Sequence, residues 1–460
     1  MIRIMKNFFT YYLFLIIGLS SYLLGQMLPY EEPSLIQNRY SGHIPTRSIS
    51  ADNINQALDI DIINNGSLDR VNNNTHIFYT LNLSEDNIYD LSFDYQNIPM
   101  GSKLFIIEEN KFLGPLLLSG TDNLVQRVSG RDLTLEIIFP SNHIGNPKFK
   151  LAKISFKDKE TANIKNDFLI NKSNREPVIL VTGFWPPTNE MIRHFSQNIF
   201  LNGNWEGENW QDRGYNIISY FPEFTNPDCD NCGQGYGDLE VDYQDTSVDF
   251  WDIVEEHSPV AIITFSRGYI NYSWELEFNF YNRTNWYPDY STPTLPTPNP
   301  PDDSVESYYL RNSTLPMDNI MNEVNAADLG LDSYIDATGD PGHFVSEFMG
   351  YHGVWYHDIN IESCYVAGHI HVGGLIDWDT AREATEISIL KTIDYLDQFS
   401  YTEGDVNADG TIDILDLVIV VNVILGSEEL SLIESYAADM NLDGVINIQD
   451  IILIINLILN

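Results

Sequence analysis

Three apolar runs constrain this chain more than anything else in it: Val178-Ile179-Leu180-Val181-Thr182, Ile217-Ile218-Ser219-Tyr220 and Val260-Ala261-Ile262-Ile263-Thr264-Phe265. A strand with one wet face alternates apolar and polar residues, whereas a continuous run has both faces covered. Helical patterns lie between the runs, with Met191, Ile192, Phe195 and Ile199 after the first and Val248, Trp251 and Val254 before the third. Strand, helix, strand in this rhythm predicts a three-layer α/β domain with a mostly parallel sheet covered on both faces. A long helix marked by Ala384, Ile387, Leu390 and Ile393 closes it, so the domain is drawn at 177–398.

At 460 residues the chain exceeds one core, and its texture changes on either side of this domain. From 26 to 160 it reads as short alternating strands, at 75–83, 88–95, 103–108 and 133–139, with Asn, Gly and Pro between them. That spacing predicts an antiparallel β-sandwich accessory domain. Residues 161–176 are polar and read as a linker. Residues 1–25 carry Arg3 and Lys6 and then an apolar run, which reads as a signal peptide cut near Gly25, with a retained membrane anchor as the other reading. The expected location is therefore secreted or cell-surface, with no membrane contact after signal removal. Inside the α/β domain, residues 287–302 hold Pro288, Pro293, Pro296, Pro298, Pro300 and Pro301. Such a stretch is a stiff surface loop, either an inert insertion or a lid.

The formal net charge is -42, from 66 acidic and 24 basic residues, which argues against a nucleic-acid partner and suits calcium binding, solubility in salt, or both. Three cysteines do not make a disulfide framework. Cys229 and Cys232 in a polar loop read as a local disulfide, and Cys364 on an apolar strand as buried.

The chain ends in a repeat. Asp405-Val406-Asn407-Ala408-Asp409-Gly410-Thr411-Ile412-Asp413-Ile414-Leu415-Asp416 recurs as Asp439-Met440-Asn441-Leu442-Asp443-Gly444-Val445-Ile446-Asn447-Ile448-Gln449-Asp450. Oxygen-bearing residues stand at positions one, three, five, nine and twelve, with Thr411 and Val445 at seven and a glycine at six for the sharp turn. Each loop leads into an apolar helix, at 417–425 and 451–459. This tail, residues 399–460, resembles a type I dockerin, whose loops end in Asp. The resemblance implies a small all-α domain with two calcium ions and a cohesin-like or cell-surface partner. Calcium used only to hold a stalk together fits the same loops.

The central domain resembles pyroglutamyl peptidase I, the pyrrolidone-carboxylate peptidases. The likeness rests on Val178-Ile179-Leu180-Val181-Thr182-Gly183-Phe184 with Pro186, on Ser273-Trp274-Glu275, on Ser313-Thr314-Leu315-Pro316, on Pro341-Gly342-His343-Phe344-Val345-Ser346 and on His369-Ile370-His371-Val372. It implies a phosphorylase/hydrolase-like fold that needs no cofactor and acts on a peptide with an N-terminal pyroglutamyl or related amide. It further implies Ser346 as nucleophile, His371 as general base, Glu275 as the carboxylate orienting the imidazole, and Phe184 and Phe344 as substrate contacts. Three positions depart from the family. Ser346 stands where it has cysteine, Gly268-Tyr269 where it has Gly-Gly-Arg, and Pro187 where it has a second phenylalanine. The front region also resembles the accessory β-domain of some secreted bacterial peptidases.

Other readings of the same residues stay open. Ser346 or Asp340 could simply cap a helix. Thr264-Phe265-Ser266-Arg267-Gly268 resembles the nucleophile elbow of α/β-hydrolases, with Asp336 and His371 completing a triad. His369 and His371, with His343, His352 and His357 nearby in sequence, could hold a metal. A catalytically silent peptide-binding or surface-assembly protein is the reading from a different class.

Overall fold

The structure, a computed structural model, describes residues 30–141, 146–156, 169–173, 176–229, 231–337 and 342–459. The expected signal peptide and most of the expected linker lie outside the described residues.

Strands β1 (Thr46–Ile49), β2 (Ala57–Asp61), β3 (Ser67–Val71), β4 (Asn74–Glu108), β5 (Lys111–Phe139) and β6 (Lys148–Phe156) form a six-stranded sheet. The four expected strands are present, but three of them are stretches of β4 and the fourth is the end of β5. Register slips at Asn82/Asn87 and Tyr95/Ile98 bend this long hairpin. Beyond the bends Leu104 pairs with Ile137 on one side and Leu116 on the other, so the sheet curls over its own core. That core gathers Leu81, Leu91, Phe93, Leu104, Leu135 and Phe149, and it takes in Tyr281, Tyr308 and Leu310 from the central region. A short helix, α1 (Ile62–Asn65), interrupts the strands and is capped by the Asp61 carboxylate.

The remaining strands are β7 (Ile170–Asn171), β8 (Val178–Thr182), β9 (Asn216–Tyr220), β10 (Ala261–Gly268), β11 (Ser273–Glu277), β12 (Asn279–Tyr281), β13 (Leu310–Asn312), β14 (Asp332–Asp336), β15 (Val366–Gly373) and β16 (Ser400–Tyr401). The second large sheet runs β14-β11-β15-β10-β8-β9, and every neighbouring pair is parallel except β11 with β15. The helices are α2 (Thr188–Ile192), α3 (Ile199–Asn202), α4 (Tyr243–His257), α5 (Met317–Ala326), α6 (Val345–Ile359), α7 (Trp378–Leu396), α8 (Ile414–Ile424), α9 (Leu432–Ala438) and α10 (Ile448–Leu459).

The continuous apolar runs are divided between two cores by the two-residue strand period. Ile179, Val181, Ile263, Phe265, Ile370 and Val372 join one core with Met191, Ile320 and Ile393, from α2, α5 and α7. Leu180, Ile262 and Ala367 join the other with Phe250, Val254, Phe348 and Val354, from α4 and α6. Two expected core markers lie outside: Val248 is 61% and Ile199 65% exposed.

The proline-rich loop contains no helix or strand but is well anchored. Leu295 is buried, Asp289 Oδ2 accepts the Tyr243 N–H at 2.8 Å, and buried Asp302 pairs with Arg311 at 2.9 Å. One part of the expected linker is described. Ile170 and Asn171 form β7, which pairs with β16 because their backbone groups match in parallel register, Ser400 with Ile170 and Tyr401 with Asn171. Cys229 and Cys232 are disulfide-bonded, and Cys364 is buried.

Candidate active site and calcium loops

On β11 the residues Trp274 and Leu276 face one core, so Glu275 and Glu277 both face the other side of the sheet, the side of α6. On β15 the same alternation turns Ala367, His369 and His371 to that side. The two strands are antiparallel neighbours, with Glu275 opposite His371 and Glu277 opposite His369. Three groups thus converge. Glu275, Glu277 and His371 are the only His, Cys, Asp or Glu trio among the described residues whose ligand-type atoms lie within 4.8 Å of one another, and all three are buried.

The imidazole selects one carboxylate. His371 Nδ1 donates to Glu277 Oε1 at 2.8 Å, reaching across the diagonal of the ladder. Glu275 was expected in that role. It lies directly opposite on the ladder instead, receives a hydrogen bond from the Tyr334 hydroxyl, and adds charge to the cluster. Glu277 Oε2 is buried and has no hydrogen-bond partner among the described residues. Burial lowers the His371 pKa, but the Glu277 hydrogen bond and charge and the Glu275 charge outweigh it and hold the value above 6.5. Burial, then the Glu277 charge, push the Glu275 carboxyl up. With Nδ1 committed to Glu277, Nε2 is the nitrogen left to exchange a proton.

Ser346 enters through α6. A Cβ added at Gly353 would meet Thr264 Cγ2 at 3.7 Å, and one at Gly350 would meet His369 Cβ at 3.1 Å. The helix therefore runs antiparallel to β10 and β15 along the face that carries His369 and His371. One turn before Gly350 is Ser346, a step of about 6 Å. Two residues beyond His369 on the strand is His371, a step of about 6.6 Å. Ser346 is half-buried, and its hydroxyl makes no hydrogen bond to His371 or to any other described residue. The N-cap of α6 is Phe344, which makes no side-chain cap, so Ser346 does not cap the helix. Asp340 and Pro341 lie outside the described residues. The turn itself is left-handed at Gly342 (φ 108°) and at His343 (φ 53°), and the His343 N–H is held by Glu347 Oε2 at 3.0 Å.

Phe344 is partly buried, and its ring approaches those of Trp185, Tyr243 and Tyr290 at 6.5, 6.2 and 6.3 Å, the last from the proline-rich loop. Phe184 is 4% exposed and packs into the core beneath them. Pro187 lines a cleft of about 570 Å³ with Pro186, Arg267, Asp377 and Trp378. Arg267 alternates with Ser266 along β10, so this cleft opens at the end of the sheet but on the face away from His371.

The elbow reading is corrected. Ser266 lies within β10, which leads directly to β11 with no helix between, so there is no strand-to-helix turn to expose its hydroxyl. Ser266 Oγ bonds His369 Nε2 at 2.8 Å and Thr264 Oγ1 bonds His369 Nδ1 at 2.7 Å, and burial holds the ring's pKa well below its ordinary value, so His369 is a neutral core residue. Asp336 pairs with Lys111 from the front sheet. The other histidines are also engaged separately, His352 with Phe348 O and Ser247, His343 with Asn285 O, and His357 with the Tyr365 backbone.

The two repeated loops of the tail are copies of one geometry. Asp405 accepts the N–H groups of Asp409 and Gly410, and Asp439 those of Asp443 and Gly444. The carboxylates at position twelve, Asp416 and Asp450, are fully buried and bind back to Val406 and Asp413, and to Met440 and Asn447. Gly410 and Gly444 have φ of 84° and 79°, the sharp turn demanded at position six. Asn407, Thr411 and Asp413, and Asn441, Val445 and Asn447, complete two all-oxygen donor sets that fit a hard cation. Helix α9 was not anticipated. It opens on a Ser431/Glu434 capping box and supplies Ala437 and Ala438 to the small core with Val406, Val420 and Ile454.

Residues 403–459 match the family model of the dockerin type I domain. Among solved structures, the chain is similar to pyroglutamyl peptidase I of Bacillus amyloliquefaciens, with 16% identity and a TM-score of 0.36, over 48% of this chain and 98% of that one. A mutant pyrrolidone carboxyl peptidase of Pyrococcus furiosus gives 17% identity and a TM-score of 0.35, over 48% and 99%. No curated protein matches the chain.

Proposed function

We propose that this chain is an exported hydrolase of an N-terminal pyroglutamyl or related acyl amide, anchored by a calcium-binding tail. In this reading Ser346 Oγ attacks the amide carbonyl while His371 Nε2 takes its proton, and the imidazolium then returns that proton to the leaving amine. Glu277 holds the tautomer and stabilises the imidazolium, and Glu275 adds negative charge beside it. Backbone N–H groups at the start of α6 face the developing oxyanion. Water then releases the acyl group by the same steps in reverse. The single observation carrying this proposal is the buried His371–Glu277 hydrogen bond of 2.8 Å beneath the helix whose first turn holds Ser346. The matched steps of helix and strand support bringing Ser346 over His371.

The remaining parts follow the same reading: a front β-sandwich made by the bent hairpin (26–160), a three-layer α/β catalytic domain (177–398), and the tail (399–460). Dockerin type I domains bind calcium and cohesins, so the tail takes two calcium ions and a cohesin-like partner. Exposed Ile414, Leu415, Val418, Ile448 and Ile452 on α8 and α10 supply an apolar face for that partner. No described helix is long and apolar enough to cross a membrane.

The test is cleavage of a fluorogenic pyroglutamyl amide. Wild type and Ser266→Ala should turn it over, and Ser346→Ala should lose at least about a hundredfold in kcat/KM. Turnover only by Ser346→Cys would instead identify a silent descendant of a cysteine peptidase.

A further inference from the structure

The tip of the β4–β5 hairpin belongs to the front sheet, yet it ends at the candidate active site. Lys111 pairs with Asp336 at the end of β14, and Asp336 is the ladder partner of Glu277. The next residue, Phe112, stacks on His343 of the nucleophile turn with ring centroids 4.9 Å apart, and its carbonyl accepts from Arg283 Nη1 at 3.2 Å. Ser129 of β5 donates to Ala337 O just past β14, and Asn279 donates to Ser129 Oγ at 2.6 Å. The hairpin is therefore pinned on both sides of the site.

We propose that Lys111 is a positioning residue for His371: the front domain completes the active site by lending it a cation. The inference rests on the reading of His371 as general base. Beside this imidazole stand Glu275 and Glu277 on β11 and His369 on β15; one strand further, on β14, Tyr334 and Asp336 lie opposite the two glutamates, and Lys111 of the hairpin pairs with Asp336. From the side of α6, Glu347 is closed onto Arg283 as a buried pair. Two carboxylates, Glu277 and Glu275, thus act on one histidine, and Lys111, held in place by Asp336, is the cation among these groups whose charge opposes theirs at the ring. Unopposed, the carboxylates would keep His371 protonated, and a protonated imidazole cannot accept the Ser346 proton. The Lys111 charge lowers the His371 pKa and so favours the neutral base.

The experiment is an NMR titration of the His371 imidazole, assigned by its loss in His371→Asn, in wild type, Lys111→Met and Lys111→Arg. Lys111 is part-exposed at a hairpin tip, so both variants should keep the wild-type fold, verified by melting temperature. In Lys111→Met the midpoint should rise by about one unit, and Lys111→Arg should restore it. An unmoved midpoint in Lys111→Met, or an equal shift in both variants, would overturn the proposal. This readout needs no turnover, so failure of the hydrolase reading would show separately, as absent cleavage by a wild type whose His371 responds normally. In an active enzyme, Lys111→Met should lose kcat/KM severalfold near pH 7 and recover it at higher pH, which loss of a purely structural ion pair would not do.

Discussion

At the residue scale, the two glutamates of β11 have separable jobs. Glu277 bonds His371 Nδ1, whereas Glu275 acts on it through charge. Glu277→Gln should cost kcat about a hundredfold or more, because the carboxylate that fixes the tautomer and stabilises the imidazolium is gone. Glu275→Gln should cost far less and move the acid limb of kcat/KM to lower pH. The sign follows from the shift. His371 is held above 6.5 and must be neutral to act, so activity is lost as pH falls through that raised value; removing a carboxylate that raises it lowers the limb. Rate profiles of the two variants check both statements. The sequence did contain the signal for Glu277. Glu275 and Glu277 are spaced i, i+2 in the otherwise apolar β11, which puts both on one face. What it lacked was the ladder register that decides which carboxylate reaches the ring.

At the scale of elements, α6 carries Ser346 along the sheet face that holds His371, and two glycines set how closely α6 packs there. A methyl at Gly350 would come within 2.5 Å of the Phe280 ring and 3.1 Å of His369 Cβ, while one at Gly353 meets nothing closer than 3.5 Å. Gly350→Ala should therefore destabilise by about 1–3 kcal/mol and lift the first turn of α6 away from His371, lowering kcat. Gly353→Ala should be neutral or stabilising by up to about 1 kcal/mol, from helix propensity alone. Thermal denaturation of both variants, with rates, distinguishes the sites, and equal losses would contradict this packing. The strands beneath α6 were legible because burial on both faces leaves an apolar run with no gaps. The bends of β4 and β5 were not, because a bulge is an extra residue relative to a partner strand, and the pairing that defines it is not written in the local sequence. Ser431 and Glu434 announced α9 at capping-box spacing, although Ser431-Leu432-Ile433-Glu434 sits in a segment too short to show helical periodicity.

For the whole molecule, the tail and the catalytic region should respond to metal independently. The tail's core has five buried hydrophobic residues, Val406, Val420, Ala437, Ala438 and Ile454, too few to hold a unit of this size without a further source of stability. A calcium concentration a thousandfold above Kd stabilises by about 4 kcal/mol per site, so chelation should melt residues after 400 well below the rest of the chain. Cleavage of the fluorogenic amide should be unchanged by the same chelator. Calorimetry with a parallel assay checks both outcomes. The tail was readable because all its oxygen-bearing positions lie within two short local loops. The contact of the front sheet with the candidate site was not, since Lys111 and Asp336 are far apart in sequence and meet only in the folded chain.

The central claim is that Ser346 is a hydroxyl nucleophile activated by the His371–Glu277 pair. A fluorophosphonate tests it directly: Oγ attacks phosphorus, fluoride leaves, and the hydroxyl proton passes to the base. Peptide mapping of the labelled protein should find the phosphonyl group on Ser346 in wild type, and none in His371→Asn. Labelling of Ser266, or labelling of Ser346 that persists undiminished in His371→Asn, would contradict the account.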